Sequence, residues 1–233
     1  MFYKIGVELI RMLKALADNF LLRRLHSLSG ILPIGLFLCF HLFANSTAIF
    51  SAEKYNIIIE FLRSIPFLEY VEWAALFGPI LFHAVYGVII ASSAKPNHVQ
   101  YGNSENWRYF LMRVSGLIAF AYIIFHVLQF RTVEHLDYNY IAKSMVGTQL
   151  IPGLPEIPYI NPFSVYWFYI IGIVSITYHF ANGLWSFCIT WGITVSKRSQ
   201  QAVAVISLAL FVLLTYLGVV TANHLYDAGQ AMI

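Results

Sequence analysis

The sequence predicts an all-α membrane protein with five transmembrane helices. The first four form a four-helix bundle, and an N-terminal amphipathic interfacial helix precedes them. Three observations predict this. Of the 233 residues, 59% are hydrophobic and 11% charged, where a soluble domain carries about 25% charge, and mean hydropathy is +0.70. Five apolar stretches reach the roughly 20 residues that cross a hydrocarbon core ~30 Å thick. In the first 21 residues, by contrast, charges recur at about every fourth position.

Residues 1–21 place Lys4, Glu8, Arg11, Lys14 and Asp18 among Ile5, Leu9, Met12, Leu13, Leu16 and Phe20. That pattern fits a helix lying on a membrane surface or docked on a partner protein, and the sequence is equally consistent with both. No secretory signal is expected, because the segment lacks a long apolar run and a small-residue cleavage site. The domain at 22–233 follows, with spans near 25–47, 70–93, 110–130, 163–191 and 202–223. Pro33 and Pro79 fall inside the first two, which membrane helices tolerate when neighbours satisfy the freed backbone groups.

Charge gives orientation. With the N-terminus inside, Lys4, Arg11, Lys14, Arg23, Arg24, Lys95, Arg108, Arg113, Lys197 and Arg198 lie on the cytoplasmic side. Lys54, Arg63, Arg131 and Lys143 remain outside, so the bias is ten to four and the N-terminus is cytoplasmic. The 131–162 connection is then an outer loop. A net charge of +3 without a basic run argues against nucleic acid as a partner. Cys39 and Cys188 both sit in apolar segments and read as free core thiols.

Four histidines sit in four different apolar segments: His41, His83, His126 and His179. An imidazole in hydrocarbon is costly, and two opposed neutral imidazoles can fill both axial positions of a haem iron. His41 lies four residues before Asn45 and His126 five before Arg131, which puts them ~6–8 Å from the outer boundary at 1.5 Å per residue. His83 lies 11 residues after Glu72 and His179 17 after Pro162, hence ~17–25 Å deep. The layers give two pairs, His41 with His126 (outer) and His83 with His179 (inner). Each pair joins helices of the same direction, which therefore stand diagonally in the bundle. A zinc site is disfavoured, since two layers do not make one tetrahedron.

A weak internal repeat accompanies the histidines. Ser29-Gly30 precedes His41 as Ser115-Gly116 precedes His126, and His83 and His179 share H-x-x-x-G through Gly87 and Gly183. Gly30 and Ser115 share a face with the histidines of their own helices, near the inner layer. These small residues are expected to let a flat macrocycle approach the backbone, or to serve ordinary helix packing. His26, His98, His135 and His224 default to surface or capping roles. His26 stands out among them, lying between Arg24 and Ser27, a set able to take a propionate or a quinone.

Several ordered stretches carry a family resemblance: RRLHSLSGILPIG at 23–35, FHAVYGV at 82–88, RVSG at 113–116, HFANGLWSF at 179–187 and TWGITVSKRSQ at 190–200. With these, the chain from Arg23 onward resembles the cytochrome b membrane anchor of di-haem succinate:quinone oxidoreductases, the Bacillus-like type with one anchor subunit. Residues 1–20 and about 140–160 depart from that pattern. The resemblance implies two haem b held by the four histidines, with the inner haem at the higher potential. It also implies complex II of the tricarboxylic acid cycle in the cytoplasmic membrane, with a flavoprotein and an iron–sulfur subunit docked on the cytoplasmic face. Electrons would pass to a quinone, menaquinone in this form of the family, and the complex could form a higher oligomer.

For a quinone, Glu72 on helix two is the candidate carboxylate, or else an interfacial charge at a helix start; Gln129 and Arg131 would complete the rim. Arg24, Ser27, Arg113 and Lys197 are inner candidates for propionates or the docked subunit, although positive-inside topology alone would put such cations there. A di-haem cytochrome b of a hydrogenase or formate dehydrogenase is the related alternative. A proton-coupled transporter with histidine relays is the distant one; no Asp or Glu lies centrally in any span.

Overall fold

The computed structural model describes residues 2–93, 99–147 and 162–233. Lys95, His98 and most of the 140–160 stretch lie outside them. The elements run α1 (Phe2–Ala17), α2 (Phe20–Ile31), α3 (Pro33–Ser46), α4 (Ala52–Arg63), α5 (Leu68–Glu72), α6 (Gly78–Ser93), α7 (Ser104–Phe130), α8 (Tyr138–Met145), α9 (Pro162–Thr190) and α10 (Lys197–Gln230). Among the described residues, five helical stretches are long and apolar enough to cross a membrane: Phe20–Ile49, Leu68–Ser93, Ser104–Phe130, Phe163–Thr190 and Lys197–Gln230.

Both prolines break regularity. Pro33 takes the first position of α3, and the Leu32 N–H closes α2 on the Leu28 carbonyl. Pro79 follows a π-helical turn at Trp73–Phe77. A proline has no N–H and its ring crowds the carbonyl four residues back, and the wider turn absorbs both defects. Several spans outrun their expected limits because polar caps lie beyond the apolar windows. Asn103 caps α7 through the Asn106 N–H, and Ser196 and Ser199 form a reciprocal capping box at the start of α10.

The first span packs beside the second and the fourth, and the third beside the same two. Spans one and three therefore oppose each other across the bundle, as do two and four, the expected diagonal arrangement. The fifth span lies outside, against α9 and α3. Small residues allow the closest approaches. Gly172 of α9 leaves the gap that the Tyr122 ring of α7 fills, and a β-carbon at Gly218 of α10 would lie 2.7 Å from Ile173.

The amphipathic segment docks on its own chain. Ala17 is fully buried, and the Tyr86 hydroxyl of α6 donates to the Leu16 carbonyl at 2.8 Å. At the opposite end, α4 and α8 form a cap that hydropathy did not announce. Tyr55 of α4 is buried and its hydroxyl donates to Asn45; burial pushes that hydroxyl's ionisation up, so it stays a donor. Asn56 accepts from the Tyr138 N–H at 2.8 Å, and Arg63 donates to the carbonyls of Val133 and Glu134. Tyr138, Ile141, Ala142 and Met145 then join Tyr122, Tyr169 and Leu225 in one apolar cluster.

Overpacking at Gly172 tests these contacts. Gly172→Leu should cost about 1–3 kcal/mol, read as a lower melting temperature of the detergent-solubilised protein. Gly6 meets nothing within 4 Å, so Gly6→Ala should cause no such drop.

Candidate functional site

The four histidines meet in the two pairs expected of them. His83 of α6 and His179 of α9 have ring centroids 6.0 Å apart with planes at 87°. His41 of α3 and His126 of α7 are 5.6 Å apart at 89°. Two imidazole nitrogens each about 2 Å from one shared metal, with each centroid about 1 Å behind its nitrogen, would put centroids about 6 Å apart. Both pairs are near that spacing, so the residues present fit a six-coordinate iron between them.

The inner pair also shows which nitrogen is free. Nδ1 of His83 lies 2.9 Å from the His26 carbonyl and 3.2 Å from Ser29 Oγ. Nδ1 of His179 lies 3.0 Å from the Met112 carbonyl and 3.5 Å from Ser115 Oγ. A carbonyl only accepts, so each Nδ1 carries the proton and each Nε2 keeps its lone pair, as a metal ligand requires. Both serines donate to the same carbonyls, at 2.9 and 3.1 Å.

Here the repeat acquires a physical meaning. Gly30 and Ser115 lie at the inner layer, where they are expected, against imidazoles of neighbouring helices. A β-carbon at Gly30 would stand 2.5 Å from Cε1 of His83, and one at Gly116 2.8 Å from Cε1 of His179. The Ser-Gly steps seat the imidazoles of the neighbouring helices. Gly87 and Gly183 face the residues whose carbonyls receive those imidazoles: a β-carbon would lie 3.2 Å from the His26 ring and 3.4 Å from the Met112 methyl. The two halves of the inner site are thus one unit used twice, with His26 in one and Met112 in the other. His26 is no surface residue, for its ring stacks on His83 at 3.9 Å and 20°.

The outer pair is held by aromatic rings. Phe37 stacks on His41 at 5.3 Å and Tyr122 on His126 at 5.6 Å, with Phe130 and Tyr169 edge-on to His126. Nδ1 of His126 is buried without a hydrogen-bond partner among the described residues. Asn45 donates to the His41 carbonyl at 2.8 Å while accepting from Tyr55, which ties this end to the cap.

Glu72 and Arg131 form an ion pair at 2.7 Å, each partly exposed, so two members of the expected rim meet. Gln129 does not join them. It is fully buried, accepts from the Tyr169 hydroxyl and points its amide nitrogen at the Ser144 carbonyl, bracing α7 against α9 and α8. At the inner end, the Arg24 guanidinium lies over the Phe20 and Trp191 rings at 5.0 and 5.2 Å. Ser27 and Arg113 are half-buried, each next in sequence to a residue whose carbonyl accepts from an imidazole of the inner site, and Lys197 is exposed. His224 meets the Tyr138 hydroxyl at 3.1 Å, and His135 is exposed.

No protein-family model matches the chain. Among curated proteins, the succinate dehydrogenase cytochrome b558 subunit of Bacillus subtilis (strain 168) is 40% identical over 200 residues, which cover 86% of this chain and 94% of that protein.

The glycine gaps are open to test. Gly30→Val or Gly116→Val should displace one imidazole pair and lower the b-type absorbance of the purified protein. Undiminished absorbance would show that the rings do not need the gaps.

Proposed function

The chain belongs to the family of succinate dehydrogenase cytochrome b558 subunits, and we propose that it carries two haem b groups and passes electrons to a membrane quinone. It is the multi-pass cytochrome b membrane anchor of succinate dehydrogenase, associates with other subunits of that complex, and leaves succinate oxidation to one of them. A cytochrome b holds haem b. The finer reading gives this chain His83 and His179 as axial ligands of an inner haem and His41 and His126 as those of an outer one. Residues 22–233 form the cytochrome domain, and residues 1–21 are appended to it.

The single observation that carries this reading is the pairing itself: two imidazole couples near 6 Å, one with both Nδ1 protons turned onto carbonyls. Bound there, each haem would supply one-electron transfer. The chain's residues do the rest. The carbonyls of His26 and Met112 hold the ligand tautomer, the aromatic walls of His41 and His126 keep water out, and apolar helices lower the local dielectric. The cationic end with Arg24, Ser27, Arg113 and Lys197 faces the cytoplasm under the positive-inside rule, in the cytoplasmic membrane. It offers partners for propionates and for flavoprotein and iron–sulfur subunits.

Quinone reduction needs protons as well as electrons. Glu72, paired with Arg131 at the outer end and partly open, supplies a carboxylate that can relay one, while the π-helical turn after it loosens the helix wall. Gln129 has no place in that rim. Menaquinone is the quinone this form of the family suggests. Gly30, Gly87, Ser115 and Gly183 act by seating the inner ligands.

Two measurements test the function. A reduced-minus-oxidised spectrum of the purified subunit should show two b-type haems per chain, and His83→Ala should abolish one and spare the other; loss of neither would refute the ligand assignment. Glu72→Gln in the intact complex should lower succinate:quinone reductase activity roughly tenfold or more and leave succinate-dependent dye reduction unchanged. Equal loss of both activities would remove Glu72 from the quinone step.

A further inference from the structure

His26 grips His83 at two points. Its carbonyl accepts the Nδ1–H at 2.9 Å, and its ring lies against the imidazole face at 3.9 Å and 20°. The His26 ring has a built seat. Gly87 leaves the space beneath it, and the Tyr86 ring meets it edge-on at 5.7 Å. Tyr86 is itself fixed through its hydroxyl to the carbonyls of Leu16 and Asn19 at 2.8 and 3.4 Å.

The equivalent position in the other half of the site is Met112. Its carbonyl receives His179 in the same way, but its side chain turns to Asn182, whose amide lies 3.5 Å from the sulfur. No flat ring covers His179 at that distance among the described residues. Among the described residues, His41 and His126 stack only on residues of their own helices, at 5.3 and 5.6 Å. A ring from a different helix, in face contact and hydrogen-bonded through its own backbone, is found among the described residues only at His83.

We propose that His26 is a positioning residue of the inner cytochrome, fixing the rotation of the His83 imidazole so that it stands at 87° to that of His179. The hydrogen bond marks the angle and the stacked ring blocks rotation away from it. The angle has an electronic consequence. Each axial imidazole interacts with one of two iron π orbitals: crossed planes leave the orbitals close in energy, whereas parallel planes split them. The splitting governs the g-anisotropy of the ferric low-spin iron and contributes to its reduction potential. The inference rests on the reading of His83 and His179 as one axial pair.

The experiment uses membranes containing the intact complex, with the native chain, His26→Leu and His26→Phe. Haem content and low-temperature electron paramagnetic resonance of the oxidised state are the readouts. Leucine keeps the carbonyl and removes the flat ring, so the inner signal should move to a smaller maximal g-value while the outer signal and the haem count stay unchanged. Phenylalanine restores a flat ring and should return the signal towards the native position. An inner signal that stays in place with leucine, both haems present, would overturn the proposal. Should leucine cost the inner haem, phenylalanine decides: a native-like signal supports positioning, and an absent or equally altered one overturns it. Native membranes without two low-spin signals would instead overturn the axial-pair reading, so the two failures are distinguishable.

Discussion

The inner half of this molecule depends on two hydrogen bonds, from Nδ1 of His83 and of His179 to helix carbonyls on neighbouring spans. A buried imidazole must satisfy its N–H, because an orphaned donor in a setting without water costs about 1–3 kcal/mol. A helix carbonyl already bonded along its own helix keeps a second lone pair. Reaching that lone pair from outside requires the helix surface to be stripped at the position one turn on. Gly30 stands four residues after His26 and Gly116 four after Met112, and each faces an imidazole edge. The helix pairing follows from this constraint. Span one receives the histidine of span two, span three receives that of span four, and the two histidines then oppose each other along the diagonal.

The outer half holds its imidazoles by different means and leaves Nδ1 of His126 without a hydrogen-bond partner among the described residues. Among the described residues, no Ser-Gly step stands beside His41 or His126; their walls are Phe37, Tyr122, Phe130 and Tyr169. Aromatic faces exclude water and hold a ring by shape, without satisfying its N–H. Position along the membrane explains the need for a cap at this end. The outer pair lies near the helix ends, so α4 and α8 cover it, tied down by Tyr55 to Asn45, Asn56 to Tyr138 and Arg63 to the 133–134 carbonyls.

Spans and histidine pairs were legible in the sequence because each rests on a periodic or depth signal. About 20 apolar residues make a span, and distance from a polar boundary sorts His41 and His126 from His83 and His179. What was illegible is tertiary. Helices α4 and α8 are short and mixed in polarity; α8 lies on α10 and α9, and α4 lies on α8, α3 and the turn at 47–49. The Ser-Gly repeat and its depth near the inner layer were visible, but counting along one helix does not show that the gap at Gly30 takes the imidazole of His83 on another helix. Gln129 was placed at a rim by its distance from His126, yet a helix turn carries it inward to Tyr169. His26 gave no hint beyond its neighbours Arg24 and Ser27.

The repeat therefore has a sharper content than similarity between apolar segments. One unit consists of a carbonyl, a serine three residues later and a glycine four residues later. The partner span adds a histidine and, four residues after it, a glycine that faces the carbonyl's owner. Both copies keep every one of these five roles, since each role is fixed by a contact: Ser29 and Ser115 donate to the carbonyls, Gly30 and Gly116 face the imidazoles, and Gly87 and Gly183 face the side chains of His26 and Met112. The carbonyl's owner is the one position whose side chain the lock does not specify, because only its backbone takes part. That freedom is where the halves differ, a flat ring on one side and a thioether on the other. A lock made by main chain leaves a side chain available to act on the imidazole it holds, and among the described residues a ring takes that opening at His26.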